Sequence, residues 1–411
     1  MEELKMKKVV VLGAGYAGLK TVVELQKKCR GQVEITLVDE NDYHYEATDL
    51  HEVASGNLPA SKITFPISDV LDPKMTTLVL AHVSRVDEEK RLVILDGHAP
   101  LEYDYCVFAL GFVSETFGIK GAAENSLPMT NVKEAEAIHE HILEQMKDYQ
   151  QTKDENDLRI IICGAGFTGI ELAGALADAR VRYAKLAGVT PDQIKIDIID
   201  ASKRLLPMFN DKLADYGIKL LEKLDVNIIT EALIQEIQPD LVLYKGANDA
   251  DGTPLHKVAG NTIIWTTGVS GSPVVAESNL QERRGRVMDT AHLTAPDHDD
   301  LYMVGDVAAV MPPDGKRPYP TTAQIALSMA NYVAKDIAAR VKGTSRPGAY
   351  TYKSLGTVAS VGNTRAFGEA GGHSFKGYPA SVMKKMIMNK SLMELGGLKE
   401  LISKGRFDLY H

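Results

Sequence analysis

Cysteine is scarce in this chain: three in 411 residues, Cys29, Cys106 and Cys163, with no two close together. That spacing excludes a dithiol redox pair, a zinc site built on paired cysteines and a disulfide framework, and it fits a reducing compartment. Positive charge is also short. The 46 Lys and Arg against 55 Asp and Glu leave −9, the wrong sign for a nucleic-acid binder, which needs a basic surface to meet phosphate. No run reaches the roughly 18 uncharged apolar residues that a membrane span requires. The opening MEELKMKK leads straight into an apolar segment, so no secretory signal is expected and the expected compartment is the cytoplasm. The remainder is ordinary for a globular protein, 45% hydrophobic and 25% charged, and long enough for two or three cores.

What the chain does have is one phrase written twice. Residues 11–18 read VLGAGYAG and residues 162–171 read ICGAGFTGIE. In the first, Gly13, Gly15 and Gly18 follow the β-branched run Val9–Val11. A helical pattern then runs from Leu19 to Lys28, and VEITLV alternates as a strand that ends at Asp39. Strand, glycine turn, helix, strand and an acid about 20 residues past the last glycine are the parts of a dinucleotide site. The glycines permit a tight turn and close backbone approach, the helix N-terminus faces the pyrophosphate, and the acid takes the ribose hydroxyls. The second copy has Gly164, Gly166 and Gly169 after the strand Arg159–Cys163, and IKIDIID ends at Asp200. Its acid lies farther off, at roughly 30 residues instead of the usual spacing; the insert AKLAGVTPDQ lengthens the helix or adds a loop. Two dinucleotide sites in one chain imply two nucleotides, and a flavin with a nicotinamide is the economical pair, between which hydride passes.

Three further phrases locate the cofactors. YDYCVFALGF and NTIIWTTGV are apolar strands that end at Gly111 and Gly268, small corners where backbone passes close to a ligand. In LYMVGDVAAV a buried strand ends at Asp306, which is aimed at a polyol chain or else caps a helix.

Taken in order over nearly the whole chain, GAGYAG, NDYHYEATDLHEVASG, ALGFVSETFGI, GAGFTGIE, WTTGV, VGD, TTAQIA and GTVAS–VG resemble the type II NADH:quinone oxidoreductases. These are single-chain, non-proton-pumping respiratory flavoproteins. The resemblance implies an α/β fold with two Rossmann-like dinucleotide-binding domains and a C-terminal amphipathic helical segment. It divides the chain into 1–120 and 268–345 for FAD, 121–267 for NADH, and 346–411 for the C-terminal strands and helices. It implies that Gly13, Gly15, Gly18 and Asp39 hold FAD, that Thr48, Gly111 and Ala323 lie by the flavin, and that Asp306 meets its ribityl chain. Gly164, Gly166, Gly169, Asp200 and Gly268 would serve NADH. Asp200 stands where relatives have glutamate, and the following Lys203 and Arg204 could take the 2′-phosphate of NADPH, which the acid disfavours.

Glu171 is the expected proton-handling group: the positive helix end favours its charge and burial beside a flavin opposes it. Its bland alternative is a first-turn glutamate that satisfies helix amides. Gln324 would meet a quinone carbonyl, and Lys384 would lie at the quinone entrance or else be a solvated surface lysine. Two departures stand out. Ser328 occupies the place of a second family glutamine, leaving a gap that a water fills, and Ser270 occupies the place of an arginine.

The segment 373–411 is basic, with Lys376, Lys384, Lys385, Lys390, Lys399, Lys404 and Arg406 outnumbering its acids. Val382, Met383, Met386 and Ile387, then Leu392, Leu395, Leu398, Leu401 and Ile402, fall at helical spacing around Gly396-Gly397. Two short amphipathic helices would lie on an anionic membrane, or pack on the core or a second subunit. The expectation is therefore a homodimer at the cytoplasmic face of the cell membrane that passes electrons from NADH to a menaquinone-like quinone, with no metal and no nucleic acid. A diaphorase reducing soluble acceptors and a nucleotide-sensing flavoprotein scaffold are the alternatives.

Overall fold

The computed structural model describes residues 6–407 apart from Asp314 and Lys316. The strand Lys7–Leu12 sits inside a six-stranded sheet, pairing in parallel with Val33–Asp39 on one side and Tyr105–Phe108 on the other. Thr76–Leu80 closes one edge; at the other, His298–Met303 and Thr294–Ala295 return from far along the chain. Val9, Val11, Ile35, Leu37 and Val107 are fully buried in one core shared with helix residues such as Leu19 and Val333 and with Val83, Val86, Val93 and Leu95 of a small antiparallel sheet, which explains runs of apolar residues in place of alternation. Helix α1, Tyr16–Lys28, joins the first two strands and packs on a later helix, α2, Ala323–Val341 in residue range. 

A second, five-stranded parallel sheet is built from Leu127–Pro128, Thr262–Trp265, Arg159–Cys163, Lys195–Ile199 and Val226–Ile229. Its glycine turn feeds helix α3, Phe167–Ala187, in spatial terms the twin of α1. The insert does both things expected of it: the helix runs on to Ala187, stops at left-handed Gly188, and a 3₁₀ turn at Pro191–Gln193 follows.

Gly356–Ser360, Ala366–Ala370 and His373–Lys376 form a small antiparallel sheet. Helix α4, Tyr378–Lys404, follows and is interrupted at Gly397, where φ is +68°. The expected break is therefore present. Residues 373–376 form a sheet edge ahead of the helix, and 408–411 lie outside the described residues. The apolar positions divide between two destinations. Leu392 and Leu395 are buried in the main core, and Val382, Met383 and Ile387 are half-buried over a cavity. Met386, Met393, Leu398 and Ile402 remain exposed. No helix among the described residues is long and apolar enough to cross a membrane.

Candidate active site

The two glycine turns are wired alike. Gly13 and Gly164 have φ of +94° and +113°, and a Cβ on Gly18 or Gly169 would stand 1.8 or 1.9 Å from the carbonyl oxygen of Gly13 or Gly164. Each helix therefore sits directly on its own turn. Gly15 and Gly166 face open space, and neither helix start has a side-chain cap or an acid in its first turn. Its amides are left for an anionic ligand. Asp39 Oδ2 accepts from the Ala14 amide at 2.6 Å and Oδ1 from that of Asn41 at 2.8 Å. Asp200 does the same with Ala165 and Ser202, both at 2.7 Å. Arg204 pairs with Asp211 at 2.7 Å and donates to the Phe209 carbonyl, while Lys203 is exposed.

A cavity of 2090 Å³ runs from the first turn toward α4. It brings together Gly13, Gly15, Asp39, Thr48, Gly111, Glu171, Gly268, Asp306, Ala323, Gln324 and Lys384. Gly18 lies behind it, and Gly164, Gly166, Gly169 and Asp200 are not in its wall. Asp306 sits on a 3₁₀ turn, Gly305–Val307, and does not cap α2, whose N-cap is Thr322. Burial raises the Asp306 pKa, opposed by Arg286 and by a hydrogen bond with Thr321.

Glu171 departs from the reading of a first-turn glutamate that satisfies helix amides. It begins the second turn of α3 and spends its bonds on distant partners instead of helix amides. Oε1 accepts from the Ser360 amide at 2.9 Å and hydroxyl at 2.8 Å, and pairs with Lys384 Nζ at 2.9 Å. Burial alone would raise its pKa; Lys384, His51 and the Ser360 bonds outweigh it and hold the carboxyl below its ordinary value. These partners favour the charged form of the carboxyl. Lys384, with its side chain 14% exposed, is not a solvated surface lysine. 

Gln324 accepts from the Tyr352 hydroxyl at 3.1 Å and donates to the Gly356 carbonyl at 3.4 Å. One amide hydrogen is left over for a ligand. Ser328 also lines the cavity, beside Tyr350, whose hydroxyl burial pushes up to about 12. Sequence reasoning missed His51, Ser360 and Tyr352 as partners, although the quoted DLHE and GTVAS phrases contain the first two.

A profile of the pyridine nucleotide-disulphide oxidoreductase family matches residues 7–330. A type II NADH:quinone oxidoreductase of Staphylococcus saprophyticus is 36% identical over 405 residues, 98% of this chain and 99% of the relative. The protein of the same description from Staphylococcus aureus matches to the same extent. This chain belongs to the type II NADH:quinone oxidoreductases. Among solved folds, an NDH2 from Plasmodium falciparum in complex with NADH superposes with a TM-score of 0.87 at 16% identity, covering 97% of both chains. A sulfide:quinone oxidoreductase from Aquifex aeolicus gives 0.77 at 20% identity over 98% and 96%.

Disulphide chemistry does not follow this type II NADH:quinone oxidoreductase from the wider family's name. All three cysteines are buried and free, burial raises each thiol, Cys163 to about 12, and none lines the cavity. The FAD that the family implies fits the first turn: the helix start is uncapped, Gly15 opens on the cavity, and Asp306 lines its wall half-buried.

Proposed function

We propose that the chain transfers two electrons from NADH to a menaquinone-like membrane quinone through FAD, without pumping protons. The observation that carries this is the single cavity in which the first glycine turn, the Glu171–Lys384 pair and Gln324 meet beneath α4. FAD supplies a two-electron carrier that takes hydride from NADH and returns electrons to the quinone.

The chain's own part is holding and proton handling. Gly13, Gly15, Gly18 and α1 hold the FAD diphosphate, with Asp39 fixing the turn and meeting the ribose. Thr48, Gly111, Ala323 and Asp306 surround the flavin and ribityl chain. Gly164, Gly166, Gly169, Asp200 and Gly268 take NADH, and the Asp200 carboxylate disfavours a 2′-phosphate at the ribose. Gln324 offers its spare N–H to one quinone carbonyl. Lys384, kept in place by Glu171, presents an ammonium to the negative charge that grows on a reduced oxygen. The division into 1–120, 121–267, 268–345 and 346–411 belongs to the same proposal: residues near 108 and near 300 share one sheet, with the second sheet inserted between them.

Met386, Met393, Leu398, Ile402 and Phe407 are exposed on the α4 side, with Lys390 beside them. They support peripheral attachment to the cytoplasmic face of a membrane, where a lipid-soluble quinone is met. The proposal includes a homodimer, checked by light scattering. The deciding experiment is anaerobic: NADH bleaches the flavin absorbance and a quinone restores it. A protein that bleaches but recovers only with soluble acceptors is the diaphorase, and one that never bleaches is the sensor.

A further inference from the structure

Behind the cavity wall, three hydroxyls gather around one buried acid. Tyr16 donates to Glu46 Oε2 at 2.8 Å and lies 3.2 Å from Thr48 Oγ1; Ser391 of α4 donates to the same Oε2 at 3.4 Å. Tyr16, Thr48 and Ser391 line the cavity, whereas Glu46 is 5% exposed and stands behind it. Its other oxygen, Oε1, has no hydrogen-bond partner and lies 3.8 Å from His44 Nε2, which has none either, on a ring 1% exposed. The other ring nitrogen, Nδ1, is 2.8 Å from the Ala14 carbonyl. A carbonyl only accepts, so Nδ1 carries a hydrogen and Nε2 of a neutral ring presents a lone pair. Two lone pairs facing each other out of reach of water are unfavourable. A proton between them removes the conflict.

We infer that His44 and Glu46 share a stored proton, and that the Tyr16 and Thr48 hydroxyls hand it to the cavity during quinone reduction. This rests on the quinone-reductase reading above. NADH, one proton and quinone give NAD⁺ and quinol: the hydride brings both electrons and one hydrogen, so each turnover draws one proton from solvent. The Tyr16 hydroxyl turns from Glu46 to Thr48 and passes its hydrogen to Thr48, which releases its own to the cavity; Glu46 then gives Tyr16 the stored hydrogen, and Ser391 leads back from the α4 side to refill the pair. The site has charged neighbours: Asp49 and Glu52, both facing Arg406 at 3.9 and 3.5 Å, and Lys384 across the cavity. Burial pushes the Asp49 carboxyl up to about 7 against the pull of Arg406. Glu46 and His44 are positioning and relay groups, because neither touches the cavity.

The test separates the two halves of the reaction by anaerobic stopped flow, using a short-chain quinone. For Tyr16→Phe and Glu46→Gln we expect flavin bleaching by NADH within about twofold of wild type. Recovery with quinone should slow about 10-fold or more, with a larger solvent-deuterium effect and a changed pH profile. Histidine-selective ¹⁵N NMR of the wild-type holoprotein should show His44 Nε2 bonded to a hydrogen at neutral pH. A bare Nε2, recovery at the wild-type rate, or equal slowing of both halves would each overturn the inference. If Glu46→Gln loses flavin, Tyr16→Phe, which removes one hydroxyl, decides by the same readings. Wild-type protein that quinone fails to recolour would instead sink the proposed function, leaving the NMR result to judge the proton by itself.

Discussion

Lys384→Met removes the cation from a buried carboxylate and tests the electrostatics of the cavity wall. Glu171 has an 8% exposed side chain and sits 2.9 Å from Lys384. Deleting one partner of such a pair typically costs about 3–5 kcal/mol, because the remaining charge stays buried. Ser360 still gives Glu171 two hydrogen bonds, so the lower end, about 3 kcal/mol, is expected at neutral pH. The sign of the pH dependence follows from direction alone. In wild type the folded pKa of Glu171 lies below its ordinary 4.5. Its stabilising contribution is therefore complete above that value and lost as pH falls through the folded pKa. In the variant burial acts with its main opponent gone, and the folded pKa moves up. The deficit is then largest at neutral pH and shrinks toward about pH 5. Urea unfolding of the FAD-saturated proteins at both pH values measures it. The double variant Lys384→Met, Glu171→Leu should recover most of the loss, since apolar replacement of a whole buried pair is often neutral. A deficit that ignores pH, or a double variant that costs the sum of its singles, would refute the pairing argument.

Glu171→Gln should keep flavin bound and slow quinone turnover about 10-fold or more, read from steady-state rates with NADH saturating. Asp200→Ser should narrow the preference for NADH over NADPH by about 10-fold or more in kcat/KM, because the acid that repels a 2′-phosphate is gone. Gly18→Ala should lose FAD and Gly169→Ala should lose NADH affinity with flavin retained, since the new methyls meet carbonyl oxygens at 1.8 and 1.9 Å; flavin content and NADH titration separate them. Met386→Asp with Ile402→Asp, at positions 65% and 70% exposed, should abolish flotation with anionic liposomes while leaving flavin bleaching by NADH intact.

Local constraints were legible in the sequence, and long-range ones were not. The glycine turns show because a carbonyl less than 2 Å from an added Cβ permits no other residue, and the rule is written within six positions. Asp39 and Asp200 show because each closes a strand over its own turn. Glu171 was visible as a residue of interest, but its ionisation was not: Ser360 and Lys384 arrive from the far end of the chain and set its charge. Periodicity in the tail marked apolar positions correctly without saying which surface each one meets. Leu392 and Leu395 face the core while Leu398 and Ile402 face outward, and four residues of that tail form a sheet edge because Ala366–Ala370 offers them a ladder.

Two turns with one wiring diagram need not hold their ligands alike, and their surroundings separate them. The first turn opens into a cavity walled by α2, α4 and the 43–51 segment, so a ligand there is enclosed on several sides. The glycines of the second lie outside that wall. A resident cofactor suits the first environment and a reductant that must leave after each turnover suits the second. Helix α3 joins them: it starts at the open turn, and within its first five residues Phe167, Thr168 and Glu171 already form part of the cavity. A nucleotide whose diphosphate rests on the start of α3 therefore has its far end directed at the enclosed site. Glycine geometry alone makes the turns equivalent; the enclosing cavity at the first supports the proposal that FAD rests there and NADH at the second.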